Sequence, residues 1–198
     1  MESLFHIAFW LIFGAMLGMQ IYFSYRFRLV TENKPYDGME LRREEGWPTI
    51  VRVVRSATLV VFLILYTLDH RLLKPLTFPL FNWMRIIGVA LGILSLVLYS
   101  WARSTIGRAW SSQLRVQGNH QLITMGPYRW VRHPIYLALI LFMISISLIA
   151  ANWILIGFLL ISFMDLMLRI PKEEQMLRER FGEDYEAYIG HTGKLLPK

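Results

Sequence analysis

Cysteine is absent from the 198-residue chain. Disulfides, thiolate nucleophiles, zinc–thiolate sites and iron–sulfur clusters are thereby excluded. Charge is scarce: Asp, Glu, Lys and Arg make up 18% of the residues, against 55% hydrophobic. A soluble domain of this length carries more charge. Histidines and acids nowhere show metal-ligand spacing, so no metal is expected. Basic residues are missing before the first apolar block, Leu4–Phe23, which is also too long for a cleaved leader, so no removable signal peptide is expected. The basic loops carry no nucleic-acid fold signature, and the net charge of +7 is assigned to the flanks of membrane spans, with no nucleic-acid partner.

What the chain does have is apolar blocks long enough to enter lipid. Five spans are expected: Leu4–Phe23, Val53–Leu68 (with a start as early as Pro48), Trp83–Trp101, Pro134–Ala150 and Trp153–Leu168. The fold class is an all-α integral membrane protein of five transmembrane helices, a single unit over 1–198. Residues 4–101 hold the three N-terminal spans and a cytosolic loop, 25–52. Residues 102–198 hold the chemistry. The last two spans are short and joined through Ala150-Ala151-Asn152, which predicts a tight antiparallel hairpin over 134–168.

Basic residues set the orientation. Seven Lys/Arg fall in residues 25–55, five in 102–133 and six in the tail, whereas only Arg71, Lys74 and Arg85 lie on the other side. The N-terminus is therefore expected outside and the C-terminus in the cytosol. The stretch Arg103–His133, with Gly107, Gly118-Asn119 and Gly126-Pro127, reads as loop with short helical pieces. A tail helix is expected to start at Pro171, with Leu177, Phe181, Tyr185 and Tyr188 on one face and a Glu174–Arg178 pair at i,i+4. Gly14-x-x-x-Gly18 and Gly88-x-x-x-Gly92 favour close helix packing. Packing within one chain is preferred over a dimer seam, so a monomer is the first expectation.

The hairpin carries the functional signal. Before it stand Arg129, Arg132 and His133, and after it Arg169, Glu173 and Glu174. Each cluster alone reads as interfacial anchoring. An antiparallel hairpin joins them into one constellation, with Tyr128 and Tyr136 close by, suited to a small zwitterionic ligand. Asp165 lies one turn before Arg169, and a local ion pair is expected there.

The order and spacing of His120-Gln121-Leu122-Ile123-Thr124-Met125-Gly126, Tyr128, Arg132-His133-Pro134-Ile135-Tyr136, Arg169, Glu173-Glu174 and Phe181-Gly182-Glu183-Asp184-Tyr185 resemble the isoprenylcysteine carboxyl methyltransferase family. The likeness spans about residues 107–198 and suggests a minimal, prokaryotic-type member. It implies methyl transfer from S-adenosylmethionine. His120, Gln121, Leu122, Gly126, Tyr128, His133, Tyr136 and Glu174 are then expected in the cytosolic cofactor-binding segments. Arg132 and Arg169 match the family's substrate-handling arginines. Glu173 joins this catalytic group, orienting an arginine or meeting the cofactor's amino group. The implied acceptor is a lipid-linked, isoprenylcysteine-like carboxylate met at the inner membrane interface. A phospholipid amine is the alternative acceptor, and an NADPH-dependent membrane reductase a more distant one. A non-enzymatic membrane scaffold is the reading from another class.

Overall fold

A computed structural model describes residues 1–30, 46–68, 70–113 and 122–198. Among the described residues six α-helices follow in order: α1 Glu2–Val30, α2 Gly46–Leu68, α3 Asn82–Gln113, α4 Pro134–Ala150, α5 Trp153–Phe181 and α6 Glu183–His191. Short 3-10 helices cover His70–Leu76 and Gly126–Arg129. Among the described residues the only β pairings are two isolated bridges. Glu2–Arg26, Asn82–Gly107 and Trp153–Phe181 are each long and apolar enough to cross a membrane, while Ser56–Leu68 and Pro134–Ala150 are apolar but shorter. Large apolar side chains such as Leu4, Leu11, Ile21, Ile93, Val97, Leu160 and Met164 stand exposed around the bundle. Such an apolar exterior suits lipid and not water, and the protein is an integral membrane protein.

A short apolar helix lies at the centre. Helix α4 packs against α3, α1 and α5. It is apolar on every side, so it has no face to offer water. Ala138, Phe142, Met143, Ser145, Ile146 and Ile149 are all buried along it. Phe5, Phe9, Ile12 and Met16 form the buried face of α1 at helical spacing. Small residues set the α3–α4 approach. A Cβ added at Gly88 would lie 2.9 Å from Leu148 Cβ, and one at Gly92 would lie 2.6 Å from both Ile12 Cδ1 and Ser145 Oγ. The second Gly-x-x-x-Gly pattern is thus a seam within the chain, as expected. The first is not: nothing described lies within 4 Å of a Cβ at Gly14 or Gly18.

The hairpin forms as expected and is held at its turn. Ala151 adopts a left-handed conformation (φ 47°) that ends α4. Buried Asn152 caps α5, its Oδ1 accepting from the Ile154 N–H at 2.9 Å. Buried Arg85 of α3 donates to the Ile149 carbonyl at 2.9 Å, pairs with Glu2 at 2.5 Å and lies over the Phe5 ring. A cation there complements the negative end of α4.

Several boundaries differ from expectation. Helix α1 runs to Val30, α2 begins at Gly46, and α3 continues past Trp101 to Gln113, so the start of the expected Arg103–His133 loop is helix. Polar residues hid the continuation because a helix leaving lipid needs no apolar face. Pro171 does not start a helix; it lies inside α5, exposed. The break falls instead at Gly182, where φ is +52°. Leu177 and Phe181 therefore belong to α5, and Tyr185 and Tyr188 to α6. Arg178 pairs with Glu186 across that break at 2.9 Å, and Glu174 turns elsewhere.

Gly92→Leu is expected to destabilise the bundle by about 1–3 kcal/mol, the usual scale of overpacking. Gly14→Leu is expected to leave the melting temperature close to that of the parent. Thermal unfolding in detergent checks both.

Candidate active site

The site is assembled at the end of the hairpin away from Ala151. Gly126 adopts φ +61°, and a Cβ there would lie 2.7 Å from Thr105 Oγ1 of α3, so only glycine fits this turn. The turn seats Pro127 and Tyr128 in the interior. The Tyr128 carbonyl accepts from the Tyr188 hydroxyl at 2.6 Å, which docks α6. Residues 130–133 then pair with the C-terminal segment. Gly193 N–H donates to the Trp130 carbonyl (3.1 Å), Arg132 N–H to Gly193 (2.9 Å) and His133 N–H to Lys194 (3.1 Å).

Arg132 leads inward from this ladder. Its Nε donates to Glu174 Oε1 at 2.9 Å and its Nη1 to the Thr192 carbonyl at 2.5 Å. Both side chains of the pair are only 8% exposed. The imidazole of His133 is buried, stacked on Tyr136 with the ring centres 5.5 Å apart. Its Nε2 stands 3.5 Å from Glu174 and its Nδ1 3.8 Å from Glu173. The Tyr136 hydroxyl donates to Glu173. Lys194 Nζ approaches the second oxygen of Glu174 at 3.5 Å. Arg169 pairs with Asp165 one turn back at 3.2 Å, as expected.

The electrostatics follow from burial and pairing. Burial lowers the His133 pKa to about 4, against the opposing pull of Glu174, so the ring is neutral near pH 7. Glu173 and Glu174 lie beyond the apolar run that ends at Leu168. Burial raises Glu173, with Tyr136 and then Arg169 opposing. Burial also works to raise Glu174, but the Arg132 hydrogen bond and the charges of Arg132 and Lys194 outweigh it and hold the carboxyl below its usual range. Two neighbours with the same side chain are thus driven in opposite directions.

Two buried polar atoms here have no hydrogen-bond partner among the described residues: His133 Nε2 and the Tyr185 hydroxyl. Unsatisfied buried polar groups are costly, and a polar ligand at this place would satisfy them.

Of the residues expected from sequence, Arg132, His133, Tyr136, Glu173 and Glu174 are brought into one cluster. Arg169 acts on Glu173 from one turn away. Gly126 and Tyr128 lie in the turn before residues 130–133, facing Thr105 and Tyr188. Leu122 is half-buried at the start of the described stretch. His120 and Gln121 lie outside the described residues. Sequence reasoning missed Thr192, Lys194 and the buried hydroxyl of Tyr185. Lys194 read as an ordinary basic flank, and a backbone carbonyl such as that of Thr192 has no signature in sequence.

Comparison with known proteins places the chain in a family. The profile of the Isoprenylcysteine carboxyl methyltransferase (ICMT) family matches residues 88–179. A probable protein-S-isoprenylcysteine O-methyltransferase of Oryza sativa subsp. indica is 31% identical over 136 residues, 66% of this chain and 71% of the relative. The protein-S-isoprenylcysteine O-methyltransferase of Tribolium castaneum is 34% identical over 119 residues, 59% of this chain and 42% of the relative. The solved structure of the eukaryotic intramembrane Ras methyltransferase ICMT superimposes with a TM-score of 0.57 at 26% identity, covering 96% of this chain and 67% of that one. The fold and these matches define a membrane methyltransferase. The chain belongs to the isoprenylcysteine carboxyl methyltransferase family.

Arg132→Met leaves Glu174 buried without its guanidinium and is expected to lower stability by about 3 kcal/mol, measured by thermal unfolding. The depressed His133 pKa means that the unfolded chain binds the extra proton first. Stability is therefore expected to fall as pH drops from about 6.5 toward 4, and His133→Gln is expected to flatten that part of a pH–melting profile.

Proposed function

We propose that this protein transfers the methyl group of S-adenosylmethionine to the carboxylate of a lipid-linked, isoprenylcysteine-like acceptor at the inner membrane interface. One observation carries the reading. The hairpin brings a buried arginine–glutamate pair, a neutral histidine and a second glutamate to one end of an apolar bundle, with Arg169 on the lipid-proximal side. The relatives' names supply the acceptor class. The family relationship favours methyl transfer over the reductase alternative. In this reading all five apolar helices span the bilayer, with the N-terminus outside and the C-terminus cytosolic.

The residues present fit the cofactor. Carboxylates suit its ammonium, cations suit its carboxylate, and the buried orphans His133 Nε2 and Tyr185 hydroxyl offer polar contacts. Glu174, His133 and Tyr136 would hold it, with Leu122, Gly126, Tyr128 and the flanking His120 and Gln121 completing the segment. When bound, the cofactor supplies a methyl group already activated by the positive charge on sulfur.

The chain's own task is then alignment and the exclusion of water. A carboxylate acceptor is ionised at neutral pH and needs no general base. It needs a cation to hold one oxygen while the other faces the methyl group, and a guanidinium suits that geometry. Arg132 and Arg169 were both candidates. Arg132 is already engaged with Glu174 and Thr192 and buried, so its part is to hold the cluster together. Arg169 is 31% exposed and paired locally with Asp165, which leaves it the better hand for the acceptor. Glu173, fixed by the Tyr136 hydroxyl, orients Arg169 electrostatically. The acceptor's apolar tail enters sideways from the bilayer.

A second reading, methylation of a phospholipid amine, draws on the raised Glu173 carboxyl and the neutral His133, since an ammonium must lose a proton before attack. A radiolabelled-methyl assay separates the two. Label is expected in a prenylcysteine analogue and not in phosphatidylethanolamine; the reverse would establish the amine reading. An acceptor lacking the lipid tail that reacted as fast as the prenylated one would exclude entry from the bilayer. Arg169→Ala is expected to reduce turnover about a hundredfold while S-adenosylhomocysteine binds almost as before.

A further inference from the structure

The segment after α6 lies beyond the residues that the family profile matches, yet it is built into the site. Gly193 and Lys194 pair with residues 130–133 through three backbone hydrogen bonds. Thr192 gives its carbonyl to Arg132 and its hydroxyl to the Tyr188 carbonyl. With its backbone held in this way, Lys194 projects its ammonium toward Glu174.

The cations at this end of the hairpin differ in what they can do. Arg132 is committed to two partners and is 8% exposed. Arg169 faces Asp165 and Glu173. His133 is neutral near pH 7. Lys194 is 50% exposed, and its 3.5 Å contact with Glu174 is longer than a direct charge-assisted hydrogen bond. It is therefore the cation beside Glu174 that can turn to another partner without disturbing the buried pair.

We propose that Lys194 binds the α-carboxylate of the methyl donor, which makes the C-terminal segment one wall of the cofactor site. The inference rests on the methyl-donor reading above. The donor carries its ammonium and its carboxylate on the same carbon. If the ammonium meets the second oxygen of Glu174, the carboxylate must lie beside that oxygen, where Lys194 already stands. Ligand entry exchanges partners: Glu174 passes from Lys194 to the ligand's ammonium, and Lys194 from Glu174 to the ligand's carboxylate. Each charge keeps an opposite neighbour, so no ion is left buried alone.

The test is calorimetric titration of the full chain in detergent with S-adenosylhomocysteine and with its analogue lacking the α-carboxylate. Lys194→Met is expected to weaken S-adenosylhomocysteine about tenfold, the scale of one charge-assisted contact. It is expected to leave the decarboxylated analogue and the melting temperature unchanged, because a half-exposed ion pair contributes little to stability. Lys194→Arg keeps the charge and is expected to retain the affinity. Unchanged or tighter S-adenosylhomocysteine binding by Lys194→Met would overturn the proposal, since the lysine would then merely occupy Glu174. An equal loss for both ligands would also overturn it, since that marks a displaced tail. Failure of the parent protein to bind S-adenosylhomocysteine would sink the methyl-donor reading itself, whereas indifference of Lys194→Met alone sinks only this inference.

Discussion

The buried pair of Arg132 and Glu174 is the contact on which the rest of the site depends. It joins the entrance of α4 to α5 forty-two residues later, and through Thr192 it takes in the C-terminal segment as well. A guanidinium and a carboxylate withdrawn from water are costly to bury, and the cost is offset only when both are well hydrogen-bonded. Here Arg132 reaches two acceptors, while Glu174 faces Arg132, His133 and Lys194. The pair links three segments of chain.

That link is useful only because the bundle beneath it is tight. Helix α4 is surrounded by α1, α3 and α5, and the glycines of α3 let it approach closely. At the far end Arg85 and Asn152 hold the turn of the hairpin. The two arms cannot slide past one another without breaking contacts at both ends. A site made of side chains from different helices needs such a frame, because small misplacements of reacting groups are expensive in rate. The two glutamates show what the frame achieves. Glu174 is held anionic by cations, whereas Glu173, one residue away, is driven toward the neutral form by burial.

Much of this was legible in the sequence, for identifiable reasons. Apolar blocks and the Ala150-Ala151-Asn152 turn signal announce the hairpin, and geometry then requires residues 132–136 to meet residues 169–174. The Asp165–Arg169 pair follows from helical spacing alone. Elsewhere, local signals were ambiguous. Pro171 suits a first helical position, yet it lies inside α5. Glu174 had a partner at i,i+4 in Arg178, but a buried guanidinium outcompeted an exposed one. The tail was least legible. Its pairing with residues 130–133 is made by backbone atoms, which any sequence possesses, and so Thr192 and Lys194 passed as surface residues.

Pro171 has a further consequence. It has no N–H to offer the carbonyl of Met167, so α5 lacks one rung there. The gap falls between Arg169 on one side and Glu173 and Glu174 on the other. The helix is consequently most compliant at the boundary between its apolar part and its polar extension. A slight bend there alters the distance from guanidinium to carboxylates while the remaining rungs stay intact, which gives α5 a built-in adjustment between these charged groups.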